Sequence, residues 1–191
     1  MDITTSATEL HVTFNTLVIA TGATFASPLW QVNESEAVTL EAFATTRAAL
    51  QKAKTVLIAG GGAVGVETAG EIGHTFRGVH TTLLSGAARL LPRLLASNSR
   101  AAENRLKKLR VTTEHNVRVK ETKKNADGTT TAVLDNGTEK IVDVFIDATG
   151  GKPNTSFLPT AWQQGPRNSV LVSADTLRAT FRWRSRNLRH R

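Results

Sequence analysis

A cluster of glycines between a buried strand and a helix is the feature that most constrains how this chain can fold. The run Thr55–Ala59 is apolar and leads into three successive glycines, residues 60–62, which predicts a buried strand followed by a tight turn. A helix is predicted over 64–77 and a second strand over 79–84. Strand, turn, helix and strand in this order predict a βαβ unit within a parallel sheet.

The spacing of these glycines has a chemical meaning. In a G-x-G-x-x-G pattern the first glycine allows the tight turn, the second lets a pyrophosphate approach the backbone, and the third lets helix and strand pack closely. The start of the helix adds free N–H groups and a positive dipole end, which attract phosphate. Glycine-rich turns of this kind also occur for packing alone, but the second strand favours a dinucleotide site. The predicted binding residues are Gly60, Gly61, Gly62, Ala63, Val64 and Gly65.

The end of the second strand is where a dinucleotide site reads the adenosine ribose. Ser85 stands where an NAD-selective carboxylate is expected, and Arg89 follows four residues later. A missing carboxylate removes repulsion against a 2′-phosphate, and an arginine can pair with that phosphate. Because Arg89 can equally be a solvated helix or loop residue, the sequence leaves the choice between NADH and NADPH open.

The remaining pattern predicts two more helices and a second sheet. Thr39 is a candidate N-cap for the first of these helices. Asp127-Gly128 and Asn136-Gly137 are strong hairpin turns. The predicted fold class is therefore α/β, a Rossmann-type domain with a parallel sheet and an antiparallel three-stranded insert. Outside the βαβ unit, the predicted elements are helices over 39–54 and 98–109 and strands over 17–20, 117–119, 130–134 and 141–147.

Composition and charge narrow the function classes. These 191 residues contain no cysteine, which excludes thiolate chemistry, and no tyrosine, which excludes reductases that use a Tyr paired with Lys. The net charge is +8, but without the five arginines of residues 182–191 it would be +3, so nucleic-acid binding is not expected. No signal peptide or bilayer-spanning apolar run is visible. We expect an intracellular protein, cytoplasmic or peripherally associated with a membrane or mitochondrion.

Three ordered motifs resemble a known family. The glycine pattern over 60–69, flanked by Ala20-Thr21-Gly22 and Ala148-Thr149-Gly150, resembles the two-dinucleotide-domain flavoproteins. That family includes pyridine nucleotide-disulfide oxidoreductases, single-subunit NADH dehydrogenases and apoptosis-inducing-factor-like reductases. In it, a nicotinamide domain is inserted into a flavin domain, and Ala-Thr-Gly segments mark both crossings. The resemblance adds Thr21, Gly22, Thr149 and Gly150 to the predicted cofactor-binding residues.

The resemblance also implies a domain order. Residues 1–23 correspond to a remnant of the FAD-binding domain, 24–38 to a connection, 39–150 to the NAD(P)-binding domain and 151–180 to the start of the second FAD-domain half. The family's first glycine fingerprint and its late Gly-Asp segment are both missing, so a truncated form is expected. Residues 181–191, with five arginines and a tryptophan, resemble out-of-frame or intronic sequence, and a basic interaction tail is the alternative.

The function implied by the resemblance is hydride transfer from NAD(P)H to FAD and then to a quinone-like acceptor. The lack of cysteine points to the apoptosis-inducing-factor-like branch, which includes the ferroptosis-suppressor quinone reductases. Glu67 is expected near the nicotinamide and the flavin, and it can also stabilise the helix N-terminus through the dipole. The alternative is a non-catalytic NAD(P)H-binding fragment that lacks the flavin site. No general acid or base and no metal site are predicted, and His74, His80 and His115 are expected at the surface.

Overall fold

The chain divides into two compact units. The computed structural model describes residues 2–5, 8–11, 15–31 and 33–180. We call Thr24–Lys152 the central unit, and Met1–Ala23 with Pro153–Arg191 the flanking unit. The aberrant tail predicted over 181–191 lies outside the described residues. Every helix within the described residues is too short or too polar to cross a membrane.

The described part of the flanking unit is built of short elements. Its strand β1 (Asp2–Thr5) pairs antiparallel with β2 (Thr8–His11), and 3-10 helices occupy Thr160–Trp162 and Pro166–Asn168. The strand predicted over 17–20 is not formed, and the Val18 side chain there is 80% exposed. An apolar run becomes a strand only where other strands pair with it, and the described residues provide no such partner. The two-residue strand β3 (Ala23–Thr24) follows, where the chain enters the central unit.

A four-stranded parallel sheet lies at the middle of the central unit, and helix α2 connects two of its neighbouring strands. This is the predicted βαβ unit, and the predicted α/β fold class is confirmed. In spatial order the strands are β10 (Val144–Asp147), β4 (Thr55–Ala59), β5 (His80–Ser85) and β6 (Thr112–His115). The helices are α1 (Glu36–Lys52), α2 (Ala63–Thr75) and α3 (Ala96–Lys108), and a 3-10 turn spans Pro28–Trp30.

Both faces of this sheet are buried, and the side chains of each strand point alternately to one face and to the other. Val56 and Ile58 of β4 point to one face and share a core with Ile72 of α2. Leu57, between them, points to the other face and packs with Leu134 in a second core. Burial on both faces is the physical reason that Thr55–Ala59 reads as a continuous apolar run.

An antiparallel three-stranded sheet covers the second face. It consists of β7 (Val119–Lys124), β8 (Thr130–Leu134) and β9 (Glu139–Val142). The two predicted hairpin turns are present, with φ of +87° at Gly128 and +82° at Gly137, a region that only glycine adopts without strain. The predicted insert is therefore confirmed. The short strand β11 (Lys152–Pro153) follows at the end of the central unit.

The predicted N-cap of the first helix is wrong. Helix α1 begins at Glu36, and its N-cap is Ser35, whose hydroxyl accepts from the Val38 N–H at 3.4 Å. Thr39 lies inside the first turns, and its hydroxyl accepts instead from Asn33 Nδ2 at 3.0 Å. Both residues have a side-chain hydroxyl that could cap a helix, so the residue types alone do not show which one is the N-cap.

The strand predicted over 141–147 is two strands in different sheets. Strand β9 pairs with β8 and β10 pairs with β4, and the chain changes sheet at Asp143. The Asp143 carboxylate accepts from the Lys54 and Thr55 N–H groups, both at 2.8 Å, and from the Thr55 hydroxyl at 2.9 Å. A side chain that accepts hydrogen bonds from backbone groups in this way interrupts the hydrogen-bond ladder between two strands. An apolar run alone does not predict this interruption.

The sequence pattern also missed one polar edge strand, β6, and misplaced another, β7. Strand β6 is made of threonines, a glutamate and a histidine, so it gives no apolar signal. Strand β7 begins at Val119, where the predicted strand over 117–119 ends, and its lysines face solvent. Charged edge strands are common because they prevent pairing with other chains, and they escape a search for apolar periodicity.

Candidate functional site

The glycine turn is held by contacts that exclude a side chain at its first position. Gly60 has φ +122°, a conformation that L residues rarely adopt, and its N–H donates to the Leu84 carbonyl at 2.9 Å. A Cβ built on Gly60 would overlap the Ala148 carbonyl oxygen. The turn therefore brings the ends of β4, β5 and β10 together at the carboxyl edge of the sheet.

Two further glycines are also required by packing. A Cβ on Gly65 would overlap the Gly60 carbonyl oxygen and lie 3.3 Å from the Leu83 side chain, so α2 crosses close over the turn. A Cβ on Gly61 would lie 2.5 Å from Ser85 Oγ. The conformation and packing of the chain thus account for Gly60, Gly61 and Gly65 without any ligand.

Gly62 differs from these three glycines. It is the N-cap of α2 with φ −80°, a conformation open to any residue, and it has no side-chain cap. No atom of the described residues lies within 4 Å of a Cβ built there. Ala63 and Val64 follow on the exposed first turn of α2. This backbone faces open space where a helix N-terminus attracts anions.

The crossing after β10 lies beside the glycine turn. The Ala148 N–H donates to the Ala59 carbonyl at 2.8 Å, which continues the pairing of β10 with β4. Thr149 donates to Asp147 Oδ1 from both its backbone N–H and its hydroxyl, at 2.9 and 2.7 Å. Gly150 follows with φ +92°. The structure therefore brings Thr149 and Gly150 to the same edge as Gly60.

The first crossing belongs to the flanking unit. The Thr21 hydroxyl donates to the Asn154 carbonyl at 2.7 Å, and Asn154 Nδ2 donates to the Thr21 carbonyl at 3.0 Å. The Gly22 carbonyl accepts from the Asn154 N–H at 3.0 Å, and Gly22 has φ +72°. Thr21 and Gly22 thus hold the outgoing and returning chain segments together.

Ser85 and Arg89 are both engaged within their own loop. The Ser85 side chain is 1% exposed, and its hydroxyl accepts from the Ala87 N–H at 3.3 Å and donates to the Arg89 carbonyl at 3.1 Å. Arg89 Nη2 donates to the carbonyls of Pro92 and Leu94 at 2.9 and 2.8 Å. The predicted ribose-reading residues therefore shape the loop after β5.

Sequence reasoning missed the segment after β6, which runs beside this loop. The Asn116 N–H donates to the Ala87 carbonyl and the Val117 N–H to the Ser85 carbonyl, both at 3.1 Å. Arg118 follows, and a Cβ built on Gly86 would lie 2.5 Å from its Nε. The available signal was Asn116, a residue type that tolerates its φ of +56° and marks a turn.

Glu67 lies one turn further along α2 and is exposed. It borders an open groove of about 470 Å³ between α1 and α2, with Phe43, Ile72 and Ile146 among the apolar residues that line it. None of residues 60–65 is among the described residues that line this groove. This groove is therefore separate from the glycine turn.

The titratable groups with shifted pKa values have structural roles. The N–H groups of Lys54 and Thr55 lower the pKa of Asp143, and hydrogen bonds from Thr129 lower the pKa of Asp127 in the first hairpin turn. His115 is half-buried, contrary to the surface position expected for it, and its Nε2 lies 3.4 Å from Glu103. The described residues contain no cluster of three or more side chains that could hold a metal ion.

Comparison with known proteins gives the family. The family model for pyridine nucleotide-disulphide oxidoreductases matches residues 2–179. Oxidoreductase phnG of Penicillium herquei is 36% identical over 162 residues, which are 74% of this chain and 39% of that protein. The FAD-dependent oxidoreductase FVFD30 of Flammulina velutipes is 29% identical over 165 residues, which are 85% of this chain and 50% of that protein.

A solved structure supports the fold independently. A pyridine nucleotide-disulfide family oxidoreductase from Enterococcus faecalis V583 superposes with a TM-score of 0.65 at 19% identity, over 91% of this chain and 40% of the other. This chain therefore spans half or less of the length of these relatives. At the level of the family, the expected cofactors NAD(P)H and FAD are confirmed. The chain belongs to the pyridine nucleotide-disulphide oxidoreductase family.

Proposed function

We propose that the central unit binds NAD(P)H with the pyrophosphate on the backbone of Gly62 and the first turn of α2. Gly62 carries the proposal, because its glycine is explained neither by its φ of −80° nor by any described neighbour. A side chain there would meet no protein atom of the described residues, but it would stand between the helix N-terminus and an anion. A bound pyrophosphate gives a physical reason for glycine at this position.

The neighbouring residues fit this pose. Ala63 and Val64 present backbone N–H groups at the start of α2, and Thr149 and Gly150 border the turn from β10. Glu67 follows on α2, where we place it toward the nicotinamide half of the ligand. These assignments make the carboxyl edge of the parallel sheet the binding surface, as in other open α/β sheets.

For the whole protein we propose an NAD(P)H-dependent flavoprotein oxidoreductase of the apoptosis-inducing-factor-like branch. When bound, the dinucleotide would supply a hydride for FAD, and the reduced flavin would supply electrons for a quinone-like acceptor. The contribution of this chain's residues is to bind and orient the dinucleotide. The support is the family membership and the absence of cysteine from the 191 residues.

Substitution of the one open glycine in the turn tests the binding site. We expect NADH or NADPH titration, followed by nucleotide fluorescence, to show binding to the parent chain and none to Gly62→Val. Gly78→Val is the matched control, because a Cβ built on Gly78 also has no described neighbour within 4 Å and Gly78 lies in the turn that follows α2. Equal affinity in Gly62→Val and Gly78→Val would refute the assignment.

A second candidate function is dinucleotide binding without catalysis by the 191-residue chain. It is favoured by the observation that the described residues contain one parallel sheet with one glycine turn of this kind. Under this proposal, NAD(P)H at 100 times its dissociation constant adds about 2.7 kcal/mol to stability. The melting temperature then rises by about 5–10 °C, while FAD at the same concentration has little effect. A yellow preparation with stoichiometric flavin, or steady NADH oxidation with a quinone or dye, would instead support catalysis.

A further inference from the structure

We infer that Arg118 binds the 2′-phosphate of NADPH and so gives this site a preference for NADPH over NADH. The inference rests on the proposed dinucleotide site and adds to it the identity of the ligand. In a βαβ site the adenosine ribose lies at the end of the second strand, where a carboxylate selects NADH and a nearby arginine accommodates the extra phosphate. Here that strand is β5, which ends at Ser85, and the residues that follow it are Gly86, Ala87 and Ala88.

The arginine occupies the space that a side chain at position 86 would fill. A Cβ built on Gly86 would lie 2.5 Å from Arg118 Nε, 2.8 Å from its Cγ and 3.1 Å from its Cζ. Gly86 does not have a positive φ, so its backbone conformation does not demand glycine. Glycine at this position therefore makes room for the Arg118 side chain. A cation therefore lies against the residue that follows the end of β5.

The backbone of Arg118 is fixed from two sides. Its N–H donates to Asp135 Oδ1 at 3.0 Å, and its carbonyl accepts from the Asp135 N–H at 2.9 Å. The preceding residue donates from its N–H to the Ser85 carbonyl at 3.1 Å. The loop after β5 and the turn after β8 thus position Arg118, whose side chain remains exposed.

The guanidinium is available for a ligand. Within residues 15–31 and 33–180, the ion pairs join Glu103 to His115 and Glu114 to Lys140, and no carboxylate pairs with Arg118. A planar guanidinium binds phosphate with two parallel N–H donors, which an ammonium group cannot reproduce. An exposed, positioned and unpaired arginine beside the ribose position has the chemistry that a 2′-phosphate requires.

Arg89, the arginine that the sequence indicates, is less suited to this role. Its Nη2 is committed to two backbone carbonyls, and its Nη1 is buried without a hydrogen-bond partner among the described residues. Binding a phosphate would require Arg89 to leave the loop that it holds together. Arg118 can bind without breaking any hydrogen bond described for its side chain.

Arg118→Ala tests the inference in the full 191-residue chain. We expect the parent to bind NADPH at least about tenfold more tightly than NADH, and the variant to lose about 10- to 100-fold in NADPH affinity. NADH affinity should change less than about threefold. Competition with 2′,5′-ADP should weaken in the variant while competition with 5′-AMP stays unchanged. Lys120→Ala removes an exposed cation on the following strand and is the matched control, measured at the same salt concentration.

Each other outcome counts against the inference. Equal binding of NADH and NADPH by the parent would overturn it and leave the proposed dinucleotide site standing. If Arg118→Ala loses affinity for both NADH and NADPH, Arg118 maintains the structure of the loop and does not select the ligand. If Arg89→Ala loses affinity for NADPH alone and Arg118→Ala does not, the 2′-phosphate binds Arg89. Binding of neither dinucleotide by the parent would overturn the proposed function and this inference together.

Discussion

Replacement of Gly60 by alanine separates what the glycine turn does for the fold from what it does for binding. Gly60 has φ +122°, and a Cβ there would overlap the Ala148 carbonyl oxygen. A non-glycine residue held in a sparsely populated conformation costs about 1–3 kcal/mol. Forcing an extra carbon into a packed site costs about 1–3 kcal/mol more. We therefore expect Gly60→Ala to lower the free energy of unfolding by about 2–6 kcal/mol.

Gly62→Ala adds the same methyl group two residues later and is the comparison. Its φ of −80° suits alanine, and the new carbon meets no described atom within 4 Å. We expect its stability to stay within about 1 kcal/mol of the parent, the cost of a poorer N-cap. Its dinucleotide affinity should fall, because the methyl group lies in the path of the pyrophosphate.

The assay is urea and thermal unfolding of both variants in the full chain without dinucleotide, followed by circular dichroism. At about 2–4 °C per kcal/mol for a chain of this size, Gly60→Ala should melt roughly 4–24 °C below the parent. Gly62→Ala should melt within about 4 °C of it. If Gly60→Ala is as stable as the parent, or if both variants are equally destabilised, the assignment of Gly60 to packing and Gly62 to binding is wrong.

Three further substitutions test separate parts of the fold. Hydrogen bonds from the Lys54 and Thr55 N–H groups hold the pKa of Asp143 in the folded protein below its value in the unfolded chain. The ionised carboxylate therefore stabilises the fold above the unfolded pKa, and this stabilisation is lost as the pH falls through the folded pKa. Thermal melts of Asp143→Asn should accordingly show a smaller loss of stability in acid than melts of the parent. Ser85→Ala leaves the Ala87 N–H without its acceptor and should lower the free energy of unfolding, measured by chemical denaturation, by about 1–3 kcal/mol. Replacement of the exposed Ser97 by alanine should lower it little. Equal stability of the two variants would contradict the role given to Ser85. Leu134→Ala opens a cavity in the core beneath the insert and should cost about 2–5 kcal/mol, against about 0.5 kcal/mol for Ile141→Ala, whose side chain is 64% exposed.

The sequence determined the features whose physical cause is local. The strand Thr55–Ala59 is apolar from its second residue to its end because both of its faces are buried, and the turn after it requires glycine at position 60 because of its positive φ. The Asp127-Gly128 and Asn136-Gly137 hairpins form for the same reason. Each of these signals lies within a few neighbouring residues, so the α/β class, the βαβ unit and the insert could be predicted.

Tertiary structure decided the features that depend on residues far apart in the chain. The run 141–147 looks like one strand, and only the meeting of Asp143 with Lys54 and Thr55 divides it between two sheets. The glycine pattern assigns Gly60 to the turn and Gly62 to the ligand, but only the structure shows that Ala148 excludes a side chain at Gly60 while Gly62 stays open. Arg118 reaches Gly86 because β5 and β6 lie side by side, and the polar edge strand β6 gave no sequence signal of that pairing. Hydrophobic periodicity records which side chains are buried, but it does not record which distant side chains meet at the edge of a sheet.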